Sequence, residues 1–183
     1  MLPNSYTYDD DNDEDGVNDI DDSENDDQFE RELFIAHFKV KNGVLDFVLI
    51  NNHIKPGDAE IEIALLPHVV ATVSKYIDEL DILIVGDLNA DGSYFDEENY
   101  LSIFPDDTYI WMIPNSVDTT VAKSDNTYDR IIGTLSISED YTKEYGVYRF
   151  EDYYDFSKIE SEPKKISDHY PVWIKLYVDR DTD

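Results

Sequence analysis

The chain has 183 residues, 41% of them hydrophobic, which is enough for one domain with a real core or a large piece of one. It has no cysteine, so a disulfide framework and any cysteine-ligated zinc site are excluded. With 43 acidic against 14 basic residues the formal net charge is -29, which argues against binding nucleic acid through a broad basic face.

Such a charge fits a solvated acidic surface or a protein loaded with cations, and any contact with a polyanion would need metal ions or a few well-placed basic side chains. No apolar stretch is long enough to span a membrane, and Met1-Leu2-Pro3-Asn4 does not read as a signal peptide. Residues 1–32 form an acidic first segment too poor in apolar side chains to build a core of its own. Within it Asp11, Asp13, Asp15, Gly16, Val17, Asp19 and Asp22 follow the one-three-five-nine-twelve oxygen spacing of a calcium loop, with Gly at the sharp turn. No amphipathic helices flank it, so it resembles the short Asp-rich calcium repeat of thrombospondin type 3 more than an EF-hand. A plain acidic low-complexity loop is the alternative.

Residues 33–40 alternate as a strand, and Lys41-Asn42-Gly43 is a hairpin signal. Residues 44–52 form the returning strand, apolar on both faces apart from Asp46. The period changes over residues 58–80, where Ile61, Ala64, Leu65, Val69, Thr72, Val73, Tyr76, Ile77 and Leu80 fall on one helical stripe. Asp58 is placed to cap that helix and Pro67 to kink it. Ile82-Leu83-Ile84-Val85 then reads as a strand buried on both faces, parallel to the preceding strand across the helical crossover. Gly86 breaks the run, and Asp87 and Asn89 follow at the strand end. A short helix is expected at residues 96–100. Strands are expected at 108–113, 127–135, 147–150 and 172–178, with residues 179–183 as a tail.

Four places now share one design. His53, Asp87 with Asn89, Asp129, and Asp168 with His169 each stand at or near a strand end. Carboxylates that hold a divalent cation, beside histidines that can move protons, are a suitable set for metal-assisted phosphodiester hydrolysis. His37 and His68 read as ordinary polar or core histidines.

The combination resembles the deoxyribonuclease I family of the endonuclease/exonuclease/phosphatase superfamily. The resemblance rests on Pro56-Gly57-Asp58-Ala59, Gly86-Asp87-Leu88-Asn89-Ala90, Trp111-Met112-Ile113-Pro114-Asn115-Ser116 with Asp118-Thr119-Thr120, Tyr128-Asp129-Arg130-Ile131 and Ser167-Asp168-His169-Tyr170-Pro171. It implies that His53 and His169 are the catalytic histidines and that Asp129 hydrogen-bonds His169. Asp87 and Asn89 would contact phosphate, metal or the attacking water, with Asp168 and Asp87 as magnesium or manganese ligands. Arg31 and Tyr128 would lie along DNA. Asp118 and Thr120 match one calcium loop of the family. Asp10, Asp27, Phe29 and Glu32 match a second, into which the acidic segment is inserted. Leu33 stands where the family usually has Pro.

The implied fold is α+β: half of a four-layer α/β/β/α sandwich, a mixed sheet with helices on one face. The match runs from about Tyr6 to Val178 and covers the C-terminal half of the family sequence, with residues 33–178 as the domain itself. The N-terminal half, which normally supplies further metal ligands, is not matched, and strands that look buried on both faces would then present an open apolar sheet face. The expectation is a metal-dependent DNA endonuclease, extracellular by family, that as this chain alone is weak or inactive. A calcium- or DNA-binding remnant without catalysis, and a phosphatase of the same superfamily, are the alternatives.

Overall fold

The computed structural model describes residues 5–8, 28–156 and 163–182. The expected calcium ligands Asp10, Asp11, Asp13, Asp15, Asp19, Asp22 and Asp27 lie outside the described residues.

The β-branched and aromatic runs assemble into a mixed six-stranded sheet. Its strands are β1 (Ser5–Thr7), β2 (Phe34–Lys39), β3 (Asp46–Asn51), β4 (Ile82–Asp87), β5 (Tyr109–Trp111) and β6 (Asp129–Thr134), in the order β1-β2-β3-β4-β6-β5. The hairpin at residues 41–43 joins β2 to β3 in antiparallel register, with Ala36 opposite Leu49 and Phe38 opposite Phe47. β3 and β4 run parallel, Ile50 beside Ile84, joined by the helix α1 (Ala59–Tyr76). β4 and β6 are antiparallel, which brings Asp87 opposite Asp129.

α1 packs on one sheet face. Ile63, Leu66, Val69, Val70 and Val73 form one core with Ile35, Val48, Ile50, Ile82, Ile84 and Ile132. The helical stripe is rotated from the expected one, since Ile61 and Tyr76 are exposed while Ile63, Leu66 and Val70 are buried. The helix is apolar on more than one side, so its sequence leaves the phase open. The 3-10 turn Pro56–Asp58 leading into it sets the phase by delivering Ala59 to the sheet. Asp58 does stand at the N-cap position, but its side chain makes no capping hydrogen bond and pairs with Lys55 at 3.1 Å instead. α1 continues through Pro67.

The opposite face is covered over one half only. β7 (Tyr141–Val147) and β8 (Val172–Leu176) pair as a separate two-stranded sheet, which lies with Met112, Ile113 and Ile137 over Leu83 and Ile131. The strand expected at residues 147–150 is therefore found earlier. Tyr-Thr-Lys-Glu-Tyr-Gly has the composition of a loop and reads as a strand only because β8 pairs with it. Away from β7 and β8 the face stays open: Phe34 and Phe38 are 45% and 47% exposed, and Phe38 stacks on Phe47 at the surface. The open apolar face expected from the sequence is present on that half of the sheet, and the α+β architecture with its helix on one face is as expected.

Candidate active site

The site is built at the C-terminal end of β4. Gly86 has φ of +139°, and a Cβ there would stand 1.8 Å from the carbonyl oxygen of Asn52. Only glycine lets the two chains approach this closely. The loop after β3 is in turn fastened to β4: the Asn52 amide donates to the Val85 carbonyl at 3.1 Å and the Ile54 amide to the Asp87 carbonyl at 2.9 Å. His53, between these two anchors, is thereby placed beside Asp87, with Nε2 3.4 Å from Oδ2.

Asn89 locks the turn. Its backbone, at φ of +49°, donates to Asp87 Oδ1 at 3.1 Å, and its buried side-chain amide donates to the Ile54 carbonyl at 2.8 Å. Asn89 therefore positions Asp87 and the His53 loop together.

Asp129 begins β6 across from Asp87, and its Oδ2 lies 2.8 Å from Nδ1 of His169, which is 3.8 Å from Asp87 Oδ2. His169 is delivered by a segment stitched to the loop before β6. The amide of Tyr170 donates to the Thr119 carbonyl at 2.8 Å, and Thr120 bridges His169. Thr119 is the residue that sequence reasoning passed over. Fully buried, it accepts the backbone N–H groups of Tyr128 and Asp129 on its hydroxyl at 3.1 and 3.2 Å, so it holds both partners of the Asp129–His169 pair. Its only sequence signal was its place between Asp118 and Thr120. Tyr128 lays its ring 5.9 Å from that of His169.

The electrostatics follow from this crowding. The hydrogen bond to Asp129 pushes His169 up to about 9, with the charges of Asp129, Asp87 and Asp168 adding to it. The imidazole is therefore charged at neutral pH, with Nδ1 committed to Asp129. Asp87 is raised by burial first and then by the charge of Asp129. Two carboxylates facing one another at a partly buried rim favour a bound cation. The donor atoms of Asp87, Asp129 and His169 all lie within 4.8 Å of one another. With the His169 ring charged and bonded to Asp129, it is the two carboxylates that fit a divalent metal.

Thus His53, Asp87, Asn89, Asp129 and His169 are brought together at one rim. Asp168 is exposed beside His169. Arg31 sits next to the rim, but its guanidinium donates to the carbonyls of His53 and Ile54 at 2.9 and 3.3 Å and so steadies the His53 loop. Asp118 and Thr120 lie in the neighbouring loop, where Asp118 accepts from Thr120 and pairs with Arg149 at 3.0 Å. Phe29 is buried in the core under α1 and Glu32 is exposed. Arg130, next to Asp129 on β6, is fully buried with its guanidinium donating to Ile113 and Ala90 carbonyls and lying 4.8 Å over the Trp111 ring.

No family model matches the chain. It is 36% identical over 154 residues to deoxyribonuclease-1 of Gallus gallus, covering 82% of this chain and 54% of that protein. It is 34% identical over 160 residues to deoxyribonuclease gamma of Mus musculus, covering 84% of this chain and 51% of that protein. The chain thus spans about half the length of the curated relatives it matches. Among solved structures, a mannosyl-6-phosphatase of Bacteroides thetaiotaomicron superposes with a TM-score of 0.54 at 18% identity, covering 80% of this chain and 57% of that one. An endonuclease/exonuclease/phosphatase family protein of the same organism gives 0.52 at 18%, covering 81% and 56%. At such identities these likenesses establish the fold.

Proposed function

We propose that this chain, related over four-fifths of its length to the deoxyribonuclease I family, supplies the histidine-and-carboxylate rim of a metal-dependent DNA phosphodiesterase. The observation that carries this is the linked run His53–Asp87–His169–Asp129 at the end of β4. These groups come from four separate parts of the chain and meet at one point.

In this reading His169, charged and oriented through Nδ1 by Asp129, presents Nε2–H to the phosphate. It hydrogen-bonds a non-bridging oxygen or protonates the leaving oxygen of the scissile bond. His53, exposed and set against Asp87, is the second proton-handling group. Asn89 keeps both aligned, and Tyr128 and Arg31 flank the path of the strand. Asp87 and Asp168, with Asp129 beside them, would hold magnesium or manganese, which neutralises phosphate charge and makes a bound water more acidic. Calcium would serve structure, at Asp118 and Thr120 and in the acidic segment of residues 1–32. An extracellular setting follows from the family reading; among the described residues no helix is long and apolar enough to cross a membrane.

The open half of the sheet favours a second element of the reading. This chain presents apolar surface where a second layer would be expected, so alone it cleaves DNA weakly or not at all. Nicking of supercoiled plasmid with magnesium and calcium tests both elements. The expected outcome is slow nicking abolished by His169→Ala. Activity that survives His169→Ala refutes the assigned rim, and turnover matching a full-length relative refutes the claim of weakness.

A further inference from the structure

At the opposite end of β4 from the rim stands a second cluster of carboxylates. Asp81 immediately precedes β4, Asp140 immediately precedes β7, and Asp181 follows β8. One oxygen from each lies within 4.8 Å of the others. A six-residue strand of about 3.3 Å per residue separates this cluster from Asp87 by roughly 20 Å, so it is no part of the rim.

Asp81 and Asp140 are both 0% exposed. Their backbones are pinned: the Asp81 carbonyl accepts from Val48 at 2.8 Å, and the Asp140 carbonyl accepts from Tyr177 at 2.8 Å. These bonds fix the two backbones in place, and both side chains are buried between them and the surrounding chain. Asp140 supplies the observation that points to a ligand. One of its oxygens accepts the hydroxyl of Thr182 at 3.0 Å, while Oδ1, fully buried, has no hydrogen-bond partner among the described residues. A buried carboxylate oxygen left in this state costs stability unless something positive meets it.

The other cluster of this kind, His37 with Asp46 and Glu79, explains itself. Its histidine and Lys39 lie within 3.1 Å of Asp46. At Asp81, Asp140 and Asp181 the donors are all carboxylate oxygens, with neither imidazole nor thiolate, which selects a hard cation over zinc or copper. The spacing agrees. Two oxygens at calcium's usual distance of about 2.3–2.6 Å from one ion lie up to about 5 Å apart.

We propose that Asp81, Asp140 and Asp181 bind a divalent cation of calcium's class, which fastens the segment after β8 to the end of the six-stranded sheet. Asp181 is the clasp, since it is only partly buried and comes from the segment after β8. The site is structural and independent of the phosphodiesterase reading.

Calcium alone is the probe, titrated into the full chain by calorimetry, with thermal unfolding in calcium and in EDTA. Asp13→Ala and Asp15→Ala form the background, which removes the acidic segment as a competing site. In that background Asp181→Asn is expected to bind one calcium fewer per chain and to lose part of the calcium-induced rise in Tm. Its partial exposure makes it the safe variant for folding. Asp140→Asn should do the same wherever circular dichroism shows it folded. Equal stoichiometry and an equal Tm rise with and without Asp181→Asn overturn the proposal, as does a chain whose Tm calcium does not move.

Discussion

The Asp129–His169 pair can be tested without any assumption about catalysis. The hydrogen bond that His169 donates to Asp129 holds the ring up to about 9, against 6.5 for a free imidazole. At about 1.4 kcal/mol per unit this is roughly 3 kcal/mol of preference for the charged ring, reduced to about 2 because the side chain is a quarter exposed and solvent screens it. Since the folded value lies above the unfolded one, the stabilisation is complete below pH 6.5 and is lost as pH rises from 6.5 through 9. Asp129→Asn should drop His169 toward 6.5, though not all the way, because Asp87 stays 3.8 Å away. The same change should lower Asp87, which Asp129 now helps to raise. The assay is a 1H–13C titration of the histidine rings, with His169→Gln to assign the resonance, alongside urea unfolding at pH 5.5 and 9. The wild-type chain should weaken between those two values and Asp129→Asn should weaken much less. A His169 that titrates near 9 in Asp129→Asn, or near 6.5 in the wild-type chain, would falsify the linkage.

Gly86→Ala puts a Cβ 1.8 Å from a backbone oxygen at a φ of +139°, so the ends of β3 and β4 must separate; a loss of about 3 kcal/mol or more is expected in thermal unfolding. Gly57→Ala is the control, since nothing lies within 4 Å of a Cβ there, and it should stay within about 0.5 kcal/mol. Burial holds the Glu62 carboxyl up to about 7, so its folded value lies above the unfolded 4.5, and the wild-type chain should lose stability as pH rises between the two. Glu62→Gln should therefore match wild type near pH 4 and exceed it at pH 8 by up to about 3 kcal/mol, read from urea midpoints. A wild-type chain as stable at pH 8 as at pH 4 relative to the variant would show that this carboxyl is not desolvated.

Much of the fold was legible because it is local. The runs that became β2, β3, β4 and β6 are bounded by turn residues and carry aromatic or β-branched side chains, and a one-residue slip would have moved apolar residues to solvent. What sequence left open was decided by long-range partners. The phase of α1 depends on the turn that delivers Ala59, and β7 is polar enough to be a strand only against β8. The site divides in the same way. Asp87, Asn89 and His169 announce themselves at strand ends, while Thr119 works through its hydroxyl on two backbone amides 9 and 10 residues away. No spacing rule marks a threonine for that. Arg31 adds a contact that its sequence does not mark, since its guanidinium donates to the backbone of the His53 loop.

The charge of the chain looks hostile to the substrate proposed for it, and the local arrangement resolves this. At physiological ionic strength the screening length is about 8 Å, so most of the -29 is not felt at the rim. What a phosphate would meet there is Asp87, Asp129 and Asp168 against the charged imidazole of His169 and the Arg31 guanidinium on the His53 loop. Ionised, the three carboxylates leave the rim about one charge negative, and one divalent cation would turn that remainder positive. Its binding would also relieve the repulsion that now raises Asp87. Lysines or arginines clustered at this rim would have drawn in DNA without a metal, but among the described residues Arg130 is buried, Lys55 is paired with Glu30 and Asp58, and Arg149 with Asp118. The acidity that argues against a general nucleic-acid binder thus leads to an expected outcome for the proposed reading: nicking by this chain should require a divalent ion, and replacing that ion with monovalent salt in the presence of EDTA should abolish it.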